Sequence, residues 1–210
     1  VVILTALGEG ARRYVIGEFS SLGSSLVIVL PGRSETSGGG PHMFMGETPR
    51  DLSLADAAAL LKISAVRRIA PLNIGEAPIS YGSLERNVPI LGSTSELLVV
   101  RHWKMLMGSF LPVMDPESAG SVCVIGAKVR TELFGNRSPL GEWIRIGDRR
   151  FRVIGVLASE GRSIGTDVDE LVIVPVASAQ ILFNSPSLFR ILVEARSRAE
   201  VDEVKAEIVC

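Results

Sequence analysis

The chain has 210 residues, with 22 Lys and Arg against 23 Asp and Glu, a formal net charge of −1. Apolar residues make up 47% and charged residues 21%, which supplies a packed core and excludes a disordered composition. Aromatics at 5% with dispersed Lys and Arg argue against a stacking platform for single-stranded nucleic acid, and announce no basic face for DNA, RNA or anionic lipid.

Residues 1–7 are apolar from the outset and then turn amphipathic within one turn. Seven residues are too few for a hydrocarbon core about 30 Å thick, which takes about 20. The run shows neither the charged leader nor the cleavage site of a signal peptide. By composition it reads as the start of a buried helix. Over residues 8–22, Ala11, Val15, Phe19 and Leu22 share one helical face, with Glu9, Arg12, Arg13 and Glu18 elsewhere. Gly23 is placed to end that helix in a left-handed conformation. Residues 25–30 are rich in Val and Ile and predict a buried strand, ended by Pro31 and Gly32. The Gly-rich residues 34–49 predict a loop.

Ser53 followed by Asp56 is a capping-box start, and Leu54, Ala57, Ala58 and Leu61 continue it as a helical face. Leu72, Ile74, Ile79 and Tyr81 predict a strand whose phase slips at Gly75 and Glu76, which suggests a bulge. Gly82 and Ser83 turn the chain into a second strand over 88–91. Near the far end, Phe189, Ile191, Val193 and Ala195 alternate with Arg190 and Glu194, the pattern of a half-buried strand. Ser197 and Glu200 predict another capping box, and Val201, Val204 and Ile208 the apolar face of a last helix. These outer parts read β-α-β-β … β-α, a ferredoxin-like or split βαβ order, interrupted between about residues 97 and 185.

Within the interruption, Trp103, Leu106 and Phe110 are placed to line one face, with Met105 and Met107 filling gaps. A strand over 122–125, a helix over 127–133 closed by Phe134 and Gly135, and a strand over 171–174 closed by Pro175 follow from the apolar runs. Between them a hairpin of 143–146 and 151–157 turns at Gly147 and Asp148, both tolerant of positive φ.

The succession VIGAKV, ELFG, SPLG, IRIG and FRVIGVL between residues 124 and 157, with GEGAR at 8–12, closely resembles the periplasmic core domain of MacB/FtsX-type ABC transporter permeases. The likeness spans nearly all of the chain. It implies an α+β fold in which a porter-like, ferredoxin-like βαββ…βα lobe (1–96 and 186–210) carries an inserted small α/β lobe (97–185). It further implies that residues 1–7 are the outer end of a membrane helix. The helices over 6–22 and 199–209 then become stalks toward the transporter's own transmembrane helices. The expected role is transmission of ATP-driven motion to export, from an extracytoplasmic position on a bacterial cytoplasmic membrane. The implied partners are an ABC ATPase subunit or domain outside this chain, a second permease copy in a homodimer, and a periplasmic adaptor.

Catalytic constellations are wanting. Gly8, Glu9 and Gly10 have neither a preceding strand nor a Walker lysine, so a phosphate loop is not indicated. His42 and His102 are the only histidines, and the sequence places no partner to orient either. Asp167, Asp169 and Glu170 cluster after Gly165, but lack EF-hand spacing and read as a solvated loop. No G-x-S-x-G elbow is present. Cys123, in an apolar strand, reads as a buried small hydrophobe, and a bond to Cys210 is not expected across two lobes. The expectation is therefore no catalytic residue, no metal ligand, no cofactor and no nucleic-acid partner. A stand-alone ligand-binding or sensor module with a cleft between lobes is the alternative, and a hydrolase of unrecognised chemistry the weaker one.

Overall fold

The structure is a computed structural model that describes residues 2–6, 25–31, 51–159, 162–163 and 166–209. The expected helix over 8–22, the loop over 34–49, His42 and Cys210 lie outside the described residues. In chain order the elements are β1 (Val2–Ala6), β2 (Leu26–Pro31), α1 (Leu54–Leu60), β3 (Val66–Tyr81), β4 (Leu84–Ser93), α2 (Glu96–Val100), β5 (Met105–Gly108), β6 (Val122–Ile125), α3 (Ala127–Phe134), β7 (Trp143–Ile146), β8 (Arg149–Leu157), β9 (Arg162–Ser163), β10 (Thr166–Asp167), β11 (Val172–Pro175), α4 (Val176–Leu182), β12 (Arg190–Ala195) and α5 (Val201–Val209), with 3-10 turns at Val168–Glu170 and Arg198–Glu200. The α+β class holds, and the outer parts run β2-α1-β3-β4 … β12-α5 in the expected βαββ…βα order, with the strand β1 added ahead of it.

The chain forms two compact units, Val1–Ile69 with Ser187–Cys210, and Ala70–Pro186. Compactness thus groups residues 70–96 with the middle of the chain, whereas the family likeness assigns them to the outer lobe. The pairing explains the grouping: β4 lies parallel to β11, with Ile90 opposite Val172.

In the first unit, β2 is central. It pairs parallel with β1 (Val2 opposite Val27) and antiparallel with β12 (Val193 opposite Val27). Val27, Ile28 and Val29 are buried one after another, as are Ile191, Leu192 and Val193; continuous apolar runs of this kind suit strands covered on both faces. The alternation at β12 predicts a one-sided strand, but Leu192 is as buried as its neighbours while Phe189, before the strand, is exposed. Residues 2–6 are strand, neither the start of a buried helix nor the outer end of a membrane helix, so a strand does precede Gly8, though the Walker lysine is still missing. Their Val, Ile and Thr content favours extended backbone. The capping box at α1 is complete: Ser53 Oγ accepts from the Asp56 N–H at 3.2 Å, and the Ser53 N–H donates to Asp56 Oδ2 at 2.9 Å. At Ser197 it is not. There the hydroxyl bonds the Glu200 carboxylate at 3.0 Å and no side chain caps the backbone, because a 3-10 turn occupies the first three positions.

In the second unit, strands run β3-β4-β11-β6-β8-β5, with β7 bridging β3 and β8. Ile79, Ile90, Cys123, Ile125, Ile144, Ile146, Phe151 and Val153 form its core, closed by Val129, Leu133 and Phe134 of α3 and Ala179 of α4. Each fully buried aliphatic or Phe side chain contributes about 1.5–3 kcal/mol relative to exposure. The β3–β4 register is unbroken from Asn73 opposite Gly92 to Tyr81 opposite Leu84, so the expected bulge at Gly75 is absent. The phase slips chemically instead: Asn73 and Gly75 take inward positions, and Ile74 is left outside, 38% exposed. Across 103–108 the period is that of a strand, not a helix. Trp103, Met105 and Met107 are half-buried and Leu106 is exposed, so Trp103 and Leu106 do not share a face.

Helix α4 (Val176–Leu182) and the two-residue strands β9 and β10 carry no signal of their own in the sequence. Pro175 sits at the N-cap of α4, where a missing N–H costs nothing; the VIVP strand signal had absorbed it.

Candidate functional site

The residues singled out by sequence are scattered, and among those described the acidic ones are hydrogen-bonded or paired except at the buried Asp169 Oδ1, which has no partner. Cys123 is fully buried and free, and burial pushes its thiol pKa far above the ordinary value, so it remains a neutral thiol. His102 is exposed, in a left-handed conformation with φ of 55° at the turn after α2. The acidic residues 167–170 are a structural knot. Asp167 caps the 3-10 turn by accepting from the Asp169 N–H at 3.1 Å. Asp169 accepts from Ser159 Oγ, and Glu170 pairs with Lys128 of α3 and lies 4.0 Å from Arg86 of β4. Arg86 also pairs with Glu132 of α3. Among the described residues no group of three or more His, Cys, Asp and Glu is placed to hold a metal ion.

The chemistry the structure does assemble lies on the β7–β8 hairpin. Gly147, at φ of 58°, makes a two-residue loop that sets Ile146 opposite Arg149. Side chains alternate across a strand, and the inward set, Ile144, Ile146, Phe151 and Val153, enters the core. That leaves Trp143, Arg145, Arg150 and Arg152 facing outward, with Trp143 opposite Arg152 and Arg145 opposite Arg150. On the far side of β7, Arg145 is opposite Ser80 of β3, and Ser80 is opposite Glu85 of β4. The Arg150 guanidinium lies 5.6 Å from the Trp143 ring centroid, a cation–π distance. Tyr81 donates to Glu142 at 3.3 Å. An open depression of about 380 Å³ lies here, lined by Tyr81, Trp143, Arg145, Asp148 and Arg150 among others. The dispersed spacing of the arginines hid this face; alternation over IRIGDRRFR was the available signal.

The MacB-like periplasmic core domain family matches residues 1–209. The chain belongs to that family. The domain is 32% identical, over 99% of its length, to a pyoverdine export ATP-binding/permease protein of Pseudomonas aeruginosa, of which it covers 30%. It is 33% identical, over 98%, to a macrolide export ATP-binding/permease protein of Bdellovibrio bacteriovorus, of which it covers 31%. The domain therefore spans about a third of the length of these relatives. In fold it matches the periplasmic region of MacB from Actinobacillus actinomycetemcomitans with a TM-score of 0.70 at 18% identity, covering 91% of this chain and 86% of that one. It also matches the extracellular domain of the ABC-type transporter YknZ from Gram-positive bacteria, with a TM-score of 0.63 at 20% identity, covering 73% and 78%. Among the described residues no helix is long and apolar enough to cross a membrane.

Proposed function

We propose that this chain is the extracytoplasmic domain of an ABC-type export permease and works as a non-catalytic transmitter of motion. The observation that carries this is the family match over residues 1–209, joined by relatives whose names pair an ATP-binding part with a permease. ATP hydrolysis then belongs to a nucleotide-binding part outside this chain. The domain moves with the membrane helices of the permease and meets a second permease copy and a periplasmic adaptor. Its working lobes in this reading are residues 1–96 with 186–210, and 97–185.

The chemistry of the domain suits a transmitter. The acidic cluster at 167–170 is held by a cap and an ion pair, at Asp167 and Glu170, rather than poised for proton transfer. Near the second crossing between units, Gln180 Nε2 donates to the Pro186 carbonyl at 2.7 Å and Asn184 adopts φ of 48°, while Pro186 fixes its own φ. Such a segment transmits displacement better than a flexible tether.

The test uses the full-length transporter in proteoliposomes, with residues 184–187 replaced by a glycine-serine stretch of equal length, leaving Phe183 packed on the core. ATPase rate and cargo efflux are measured together. Efflux lost with ATP hydrolysis retained is the expected result. Efflux and its coupling to hydrolysis both unchanged would overturn the transmitter role.

A further inference from the structure

We propose that the outward face of the β7–β8 hairpin is a docking surface for an acidic, extended polypeptide segment of a partner protein, whose carboxylates are taken by Arg145, Arg150 and Arg152. The proposal rests on the reading that this domain meets a protein partner, and it names where and by what chemistry.

The charge is locally out of balance. The whole chain carries a net charge of −1, yet residues 142–152 hold four arginines against Glu142 and Asp148. On the neighbouring face of this unit cations are matched, Arg86 by Glu132 and Lys128 by Glu170. Among the described residues Arg145, Arg150 and Arg152 have no carboxylate within ion-pair distance. Arg145 is set directly opposite Arg150, an arrangement of like charges that costs stability in a free sheet. Glu142 is engaged by Tyr81. Asp148 lines the depression at the turn, and Glu85 stands two strands from Arg145 in the same row.

The geometry selects an extended peptide. Arg150 and Arg152 are two residues apart on one strand, about 6.8 Å along its axis, and an extended partner presents alternate side chains at that same repeat. Arginine's planar fork takes a carboxylate through two parallel hydrogen bonds, a match lysine does not offer. Trp143, 46% exposed with Arg150 against its ring, supplies a rigid apolar wall of the kind that anchors interfaces. A second copy of the chain would bring the same positive face and repel. Recognition of an anionic lipid surface by charge takes clusters of about four to eight Lys or Arg, more than the three that share this face with Trp143.

The experiment uses the 210-residue chain carrying Trp103→Phe, so that Trp143 alone reports by fluorescence. It is titrated at low salt with a blocked hexaglutamate peptide, with hexaglutamine, with inorganic phosphate, and with phosphatidylglycerol vesicles. A saturable change with hexaglutamate, absent with hexaglutamine and weakened by salt, is expected. The triple variant Arg145→Gln, Arg150→Gln, Arg152→Gln should bind at least about tenfold more weakly, with a thermal midpoint equal to or above the parent's. Lack of hexaglutamate binding, equal binding of hexaglutamine, phosphate binding as tight as the peptide, or tighter binding to the vesicles would each overturn the proposal. Peptide binding needs no transport, so failure here is distinguishable from failure of the transmitter reading.

Discussion

Gly92 of β4 lies so close beneath Ala179 of α4 that a Cβ on the glycine would overlap the alanine's own Cβ, with the backbone of Val176 3.3 Å away. Helix α4 therefore rests on β4 at the distance that only a glycine allows. Its packing depends on a contact neither residue advertises alone. Gly92→Ala should destabilise the chain by about 1–3 kcal/mol, the usual cost of overpacking, read as a lower urea midpoint. Ala179→Gly in the Gly92→Ala background should return part of that loss, since residues in contact couple. Strict additivity of the two substitutions would refute the contact.

Helix α1 gives a smaller and cleaner effect. Ser53→Ala removes the hydroxyl that accepts from the Asp56 N–H, and loss of an N-cap costs about 1 kcal/mol. Ser53→Thr keeps a hydroxyl that both accepts from the Asp56 N–H and donates to the Asp56 carboxylate, and should cost much less. The comparison by chemical denaturation separates capping from side-chain packing.

What the sequence made legible was periodicity with few competing signals. The hairpin around Gly147 and Asp148, the β6 strand, α3 closed by Gly135 and the Ser53 cap were all readable, because alternation, turn residues and caps agreed there. Legibility failed where long-range pairing decides. At β3, Asn73 and Gly75 occupy the inward positions that apolar residues would mark, so an unbroken strand looked bulged. Helix α4 is short and almost uniformly small and apolar, VASAQIL, so it shows no amphipathic stripe and merges with the preceding strand. The arginine face of β7 and β8 was hidden for the same kind of reason: Trp143 and Arg152 are nine positions apart in sequence and become neighbours only through pairing.

Cys123 gives the chain a pH dependence with a definite sign. Burial raises its pKa in the folded state above the ordinary thiol value of 9.0. The folded chain therefore holds a proton that the unfolded chain releases, and stability is full below about pH 8.5 and declines above it. This thiol should add a slope approaching about 1.4 kcal/mol per pH unit, removed by Cys123→Ala, which itself lowers stability at neutral pH by leaving a small cavity. In a Cys210→Ser background, a disulfide-exchange reagent at pH 8 should label Cys123 only as fast as the chain opens. Immediate labelling of the native chain would contradict the buried, neutral thiol.

The acidic residues at 167–170 should not bind calcium despite their number. Asp167 accepts from the backbone, Asp169 from Ser159, and Glu170 is neutralised by Lys128 with Arg86 nearby. A cation would have to displace these partners, and the single unpartnered buried oxygen in the cluster, Asp169 Oδ1, is too few ligands for calcium, which takes about six to eight oxygens. A ligand that binds only the folded state raises the midpoint in proportion to the logarithm of its concentration over Kd. Millimolar calcium chloride should therefore leave the thermal midpoint where an equal ionic strength of sodium chloride leaves it. Glu170→Gln breaks the Lys128 pair, which is half-exposed and worth about 0–1 kcal/mol. Asp167→Ala removes the cap of the 3-10 turn and should cost about 1 kcal/mol. The order of these two losses separates a knot held by its backbone cap from one held by its surface charges. A calcium-specific rise in the midpoint would show that the carboxylates are free enough to serve as ligands.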